Sequence, residues 1–176
     1  KCTGKYFAIC EGDDYWTEST KLSRQIHVMQ TMPNVVLCCH ATDIADARTS
    51  QLVRIHRSAK RLRLLSTSQL IVGDGHLISK CSILVRKKVF STPPAWMEQA
   101  PIGDYPLVLR AAQLGKVAYI DKSMATYRIN VPGSWVTSLS QETQQRYDHA
   151  KKMASVLEAY RSEISQTLAK YVNIAI

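Results

Sequence analysis

With 176 residues, 45% of them hydrophobic, the chain can bury one sizeable core and falls within the ordinary size of a single domain. No run approaches the ~18 apolar residues of a membrane-spanning helix, and the first residues lack the charged-then-apolar profile of a signal peptide, so nothing in these residues is expected to span a bilayer or direct export. Lys and Arg number 23 against 14 Asp and Glu, a balance of +9 that favours phosphate-bearing partners or an anionic membrane surface.

The five cysteines, Cys2, Cys10, Cys38, Cys39 and Cys81, form no CxxC pair, which argues against a zinc site or a disulfide framework and for buried reduced thiols in a cytosolic protein. The densest basic stretch, Arg54, Arg57, Lys60, Arg61 and Arg63, reads first as a solvated face.

In chain order, Tyr6 to Cys10 reads as a buried strand that breaks at Glu11, Gly12, Asp13 and Asp14, all turn formers. Helical spacing of Leu22, Ile26 and Met29 predicts a helix over 18–32, with Thr17 as its N-cap and Pro33 as its stop. Val35 to Cys39 is a second buried strand. Residues 41–76 fit neither period and carry no assignment beyond a flexible turn at Gly73, Asp74 and Gly75. A strand at Ser82 to Val85 is followed by a loop with Pro93, Pro94 and Pro101.

The clearest helix is Asp104 to Leu114, with Asp104 as its expected N-cap, a role that competes with any chemical one, Pro106 in the first turn and Gly115 at its end. Strands at Val117 to Ile120 and Ala125 to Arg128 follow. From Ser140 onward, Tyr147, Ala150, Ala154, Leu157, Ile164, Leu168 and Tyr171 recur by threes and fours, interrupted only at Arg161. That pattern predicts one long amphipathic helix, entered through a capping box at Ser138 and Gln141. Strands alternating with helices place the fold in the α/β class.

Three carboxylates in four residues, Glu11, Asp13 and Asp14, at the end of a strand repel one another unless a cation joins them. Oxygen ligands suit magnesium or manganese, and a site with few carboxylates leaves positions for substrate phosphates. An acidic turn that merely leads into the next helix is the plainer alternative. His76, in GDGH, has no second histidine or cysteine at ligand spacing and reads as a loop residue.

Gly4 to Trp16 reads GKYFAICEGDDYW, which resembles the GKY-x-A-x-x-EGDDYW signature of bacterial family-2 glycosyltransferases, where EGDD stands for the DxD motif. GDYPLVLR from Gly103, GKVAYID from Gly115 and YRINVPGSW from Tyr127 follow in the family's order. The resemblance covers most of residues 4–137. It implies a nucleotide-diphospho-sugar transferase (A-type) fold, a mixed sheet flanked by helices, with the N-terminal nucleotide-binding segment missing. The chain opens at Lys1 within a few residues of a buried strand and so reads as a fragment: residues 1–137 as the catalytic, acceptor-binding part and 138–176 as a helix packed on it.

The activity implied is transfer of a sugar, with inversion, from a nucleotide-diphospho-sugar donor to a hydroxyl of a glycan or lipid-linked acceptor in bacterial surface polysaccharide synthesis. On the same resemblance Asp13 binds Mn²⁺ or Mg²⁺, Glu11 faces the nucleotide sugar, and Asp14 supports the turn. Asp104 takes the proton of the acceptor hydroxyl. Arg128 lies near the phosphates and Trp135 covers a sugar. Asn130 stands where many members of the family have a histidine ligand, which implies a weaker metal site. Trp16 either stacks on a sugar or anchors the helix that follows it. A cytoplasmic enzyme is expected, with peripheral contact to the inner face of the membrane and no nucleic-acid partner. The rivals are a catalytically silent polyanion-binding module, suggested by the charge, and a metal-dependent phosphoesterase, for which the histidines and carboxylates near Asp13 are too few.

Overall fold

The computed structural model describes residues 3–73, 75–134 and 142–176. The chain is α/β, built on two mixed sheets. The first has the strand order β1-β7-β3-β8-β6, formed by β1 (Tyr6–Ala8), β7 (Leu84–Arg86), β3 (Val35–His40), β8 (Lys116–Ile120) and β6 (Arg63–Leu65). The second has the order β2-β9-β4-β5, from β2 (Tyr15–Trp16), β9 (Ala125–Ile129), β4 (Thr42–Asp46) and β5 (Leu52–His56).

Strand directions determine where a site can form. β1 and β3 are each antiparallel to β7, and β3 is parallel to β8, so β1, β3 and β8 all point the same way. Their carboxyl ends share one rim, where open α/β sheets bind ligands. Past that rim the chain enters the second sheet three times, from β1 into β2, from β3 into β4 and from β8 into β9, and β4 again runs parallel to β9. Ala41 donates to the Ile120 carbonyl and Met124 donates to that of Ala41, which stitches the β3–β4 and β8–β9 crossings together.

β3 is buried at all six positions, as the apolar run from Val35 to Cys39 requires of a central strand, with His40 buried at its end. One side of the first sheet is covered by α1 (Lys21–Thr31), through Val28 and Met29 against Val35, Cys38 and Leu84. α4 (Asp104–Leu114) covers β3 and β8 with Leu107, Val108 and Ala111. Beyond α4, a second cluster joins Tyr105 and Leu109 to Trp96 of α3 (Ala95–Glu98), to Ile71 of α2 (Thr67–Val72), and to the C-terminal helices.

Several expectations need correction. The first helix starts at Lys21, and Thr17 does not cap it: Thr17 donates its backbone N–H to Met124, because Tyr15 and Trp16 have been drawn into β2 against β9. The C-terminal helix is two, α5 (Thr143–Ser162) and α6 (Gln166–Ala175), broken just after Arg161, where the periodicity faltered. Tyr147 does not belong to the buried face; the buried residues of α5 are Met153, Val156, Leu157 and Tyr160. The unassigned stretch holds β4, β5, β6 and α2. The Ser138–Gln141 capping box lies outside the described residues. Cys38, Cys39 and Cys81 are buried as expected, whereas Cys10 is exposed. Among the described residues no helix is long and apolar enough to cross a membrane.

Candidate functional site

After β1 the chain turns sharply, Asp14 N–H returning to the Glu11 carbonyl at 3.1 Å, and this turn gathers the three carboxylates. Glu11, Asp13 and Asp14 each offer an oxygen within 4.8 Å of the others. They differ in surroundings: Glu11 is exposed, Asp13 half-buried, and Asp14 only 8% exposed. Asp14 Oδ1 accepts the Arg128 backbone N–H at 3.0 Å, while its Oδ2 is buried without a hydrogen-bond partner. Burial raises the Asp14 pKa; the Arg128 N–H and the Cys81 thiol beside the carboxylate partly offset that, and the charges of Asp13 and Glu11 add to the rise.

Two other segments close on this turn. From β9, Arg128 donates Nε–H to the Asp13 carbonyl. From the 3₁₀ turn at Lys80–Ser82, Lys80 Nζ pairs with Glu11 Oε1 at 2.7 Å, and the Cys81 carbonyl accepts Trp16 Nε1–H at 3.1 Å. Lys80 and Cys81 escape a reading of the sequence because they lie some 70 positions from the acidic turn with no motif around them.

Beside the turn, Lys21 is almost wholly buried. Its ammonium donates to Gln25 Oε1 at 3.0 Å and sits 4.4 Å from the centre of the Trp16 ring. Gln25 in turn donates to the carbonyls of Cys38 and Ser82, at 2.7 and 2.8 Å, tying α1 to β3 and to the 3₁₀ turn. With no carboxylate against it, burial lowers the Lys21 pKa to about 8. Trp16 thus anchors packing through both its N–H and its face, yet remains 38% exposed.

Asp104 is the first residue of α4. Its Oδ1 accepts the Tyr105 backbone N–H at 2.9 Å, and the residue borders a small cavity with Leu70, Gly75, Leu77, Ile78 and Tyr105. The helix-terminus role is therefore filled, with Gly103 rather than Asp104 at the cap position itself. Tyr127 of β9 feels both groups: burial first, then the fields of Asp14, Glu11, Asp13 and Asp104, push its phenol up to about 12. Its place in the YRINVPGSW block was the only trace of it in the sequence.

Of the residues singled out from the sequence, the structure brings together Glu11, Asp13, Asp14 and Arg128, while Asp104 stands at the start of α4 beside the small cavity. Asn130 is engaged elsewhere. Its amide N–H donates to Asp46 Oδ2 at 2.7 Å and its backbone has φ +59°, so only its carbonyl oxygen remains for a metal. Trp135 lies outside the described residues.

The donor set fits a hard divalent cation, since the three clustered ligands are all carboxylates and one of their oxygens, Asp14 Oδ2, is buried with no N–H or O–H donor on it, the weakly donating Cys81 thiol being its neighbour.

No family profile matches the chain. Uncharacterized proteins of Mycobacterium bovis and of two Mycobacterium tuberculosis strains, CDC 1551 and H37Rv, are 30% identical to it over 160 residues, 89% of this chain. The chain spans 44% of the length of these relatives.

Proposed function

We propose that the chain is the catalytic, acceptor-binding part of a metal-dependent family-2 glycosyltransferase with an A-type fold. One observation carries the reading: an acidic turn at the carboxyl end of β1 that keeps a buried carboxylate oxygen of Asp14 unpartnered. A purely structural turn would leave that oxygen bonded or in water. The GKYFAICEGDDYW block supports the same reading, and so does the position of the turn on the rim shared by β1, β3 and β8.

Asp13 and Asp14, with Glu11 at the open side, hold Mn²⁺ or Mg²⁺. When bound, the cation supplies Lewis-acid stabilisation of charge on the departing nucleoside diphosphate. Lys80 and Arg128 present cations to the diphosphate; the terminal guanidinium nitrogens of Arg128 make no hydrogen bond among the described residues. Asp104 accepts the proton of the acceptor hydroxyl as its oxygen bonds to the anomeric carbon and the bond from that carbon to the diphosphate breaks, inverting the centre. Tyr127 stays protonated in this field. The acceptor is a glycan or a lipid-linked sugar, and the setting is surface polysaccharide assembly in the cytoplasm.

The test is nucleoside-diphosphate release from a panel of nucleotide sugars, with and without manganese, in a protein as long as the mycobacterial relatives. The reading predicts metal-dependent release from one donor, lost in Asp13→Ala. In Asp104→Ala, slow donor hydrolysis survives but transfer to acceptor fails. Absence of turnover and of donor binding would sink it. Metal-indifferent, salt-sensitive polyanion binding that survives Asp13→Ala would establish the binding-module rival.

A further inference from the structure

β5 and β6 stand at the outer edges of the two different sheets and are joined by the short segment 57–62. Their surface is unusual. Of the twelve large apolar side chains exposed among the described residues, five fall between positions 52 and 64: Leu52, Val53, Ile55, Leu62 and Leu64. Leu52 is 60% exposed and Val53 53%, although an edge strand that packs on anything would hide one of two consecutive residues.

Interleaved with them are six cations and no acid between residues 47 and 64: Arg48, Arg54, Arg57, Lys60, Arg61 and Arg63. Arg57 is neutralised by Asp121 at 2.6 Å, and Arg48 lies beside Asp46 of β4, whose carboxylate is already bonded to the Arg48 N–H and to Asn130. Arg54, Lys60 and Arg61 have no ion-pair partner among the described residues.

Charges alone suffice to guard a sheet edge against pairing with another chain. Guarding does not explain five exposed aliphatic side chains beside them, a cluster rather than scattered single residues. A second copy of this chain is a poor occupant, because it would bring two acid-free cationic segments together. Nucleic acid is a poor one too: residues 47–64 contain no Phe, Tyr or Trp on which a base could stack, and aliphatic groups gain nothing against a phosphate backbone. Aliphatic side chains flanked by unpaired cations match the boundary of an anionic bilayer, where apolar groups enter the acyl region and the cations meet the headgroups.

We infer that the rim formed by β5, segment 57–62 and β6 docks on an anionic membrane surface, with Leu52, Val53, Ile55, Leu62 and Leu64 entering the interface and Arg54, Lys60 and Arg61 binding lipid headgroups. The inference stands apart from the glycosyltransferase reading, since neither the acidic turn nor Asp104 takes part in it.

Co-sedimentation of the chain with phosphatidylserine and phosphatidylcholine vesicles in equal parts tests it, alongside pure phosphatidylcholine vesicles and a single-stranded oligonucleotide. Binding to the anionic vesicles only is expected. Replacing Arg54, Lys60 and Arg61 by Gln should weaken it roughly fivefold per charge. Val53→Thr with Ile55→Thr keeps β-branched residues in the strand and all the charges. That variant should lose about tenfold in affinity, together with the binding that wild type retains at high salt. Circular dichroism of both variants confirms that the fold is kept. Failure to sediment with anionic vesicles would overturn the inference. Vesicle binding unchanged by the two threonines, with equally tight oligonucleotide binding, would assign the rim to polyanions instead. Self-association lost in the threonine variant, without vesicle binding, would assign it to a second copy.

Discussion

Lys21, Asp14 and His40 are ionisable side chains at or near the site that the fold closes to solvent, and each titrates away from its ordinary value. For Lys21 burial lowers the folded-state pKa from 10.5 to about 8. Below about 8 both folded and unfolded chains carry the proton and the folded state bears the cost of a buried ammonium; between 8 and 10.5 only the unfolded chain keeps it, so this cost is relieved as pH rises. Relative to Lys21→Met, wild type should therefore gain stability across that window, by on the order of 3 kcal/mol at most. Urea midpoints of both proteins at a series of pH values check this, and a pH-independent difference would contradict it. His40 acts at the other end. Burial lowers its pKa to about 4, so its contribution is intact above 6.5 and is lost as pH falls from 6.5 to 4.

Asp14 shows the conflict expected of a functional residue. Its pKa is raised, so the ionised form present at neutral pH is disfavoured in the folded state and that penalty is relieved on acidification through the folded-state value. Asp14→Asn should leave the metal-free protein at least as stable as wild type at pH 7. Manganese should raise the melting temperature of wild type and leave that of the variant unmoved. A manganese shift of equal size in both would mean that Asp14 holds no metal.

Among the elements, those legible in the sequence were the ones whose signals are local. α4 begins at Asp104 and ends at Leu114 as read, because Pro106 and Gly115 bracket an apolar pattern that nothing else disturbs. Gly115 is also required sterically: a Cβ there would meet the Asn34 carbonyl oxygen at 2.5 Å and Val36 Cγ1 at 2.7 Å. Gly115→Ala should cost about 1–3 kcal/mol, read as a lowered urea midpoint, and an unchanged midpoint would show that the α4–β8 turn can relax. α2 did carry a readable signal. Ser66 and Gln69 form a capping box, Ser66 Oγ accepting Gln69 N–H at 3.2 Å and Gln69 Oε1 accepting Ser66 N–H at 3.1 Å, just before an apolar triplet. β5 had no such signal, since its five residues are exposed or half-buried and show no alternation. The early start predicted for α1 failed because Tyr15 and Trp16 answer to β9, more than a hundred residues away.

At the scale of the whole molecule, the sequence could not reveal two sheets joined end to end, because that architecture follows from the parallel crossings of β3 into β4 and β8 into β9. The acidic turn was legible because it is contiguous. Its companions Lys80 and Cys81 were not, because only folding brings them to it. Six of the 23 Lys and Arg fall between residues 48 and 63 among five exposed aliphatic residues, and only the fold shows that this stretch forms the outer edges of both sheets.

The central claim is that the acidic turn after β1 holds a divalent cation and through it a nucleoside diphosphate. Titration calorimetry of manganese, followed by nucleoside diphosphate, into wild type, Asp13→Ala and Asp14→Asn tests this most directly. The account predicts that manganese binds wild type, that the diphosphate binds only once manganese is present, and that both signals vanish in the two variants. Manganese binding that persists in both variants, or diphosphate binding indifferent to the metal, would contradict it.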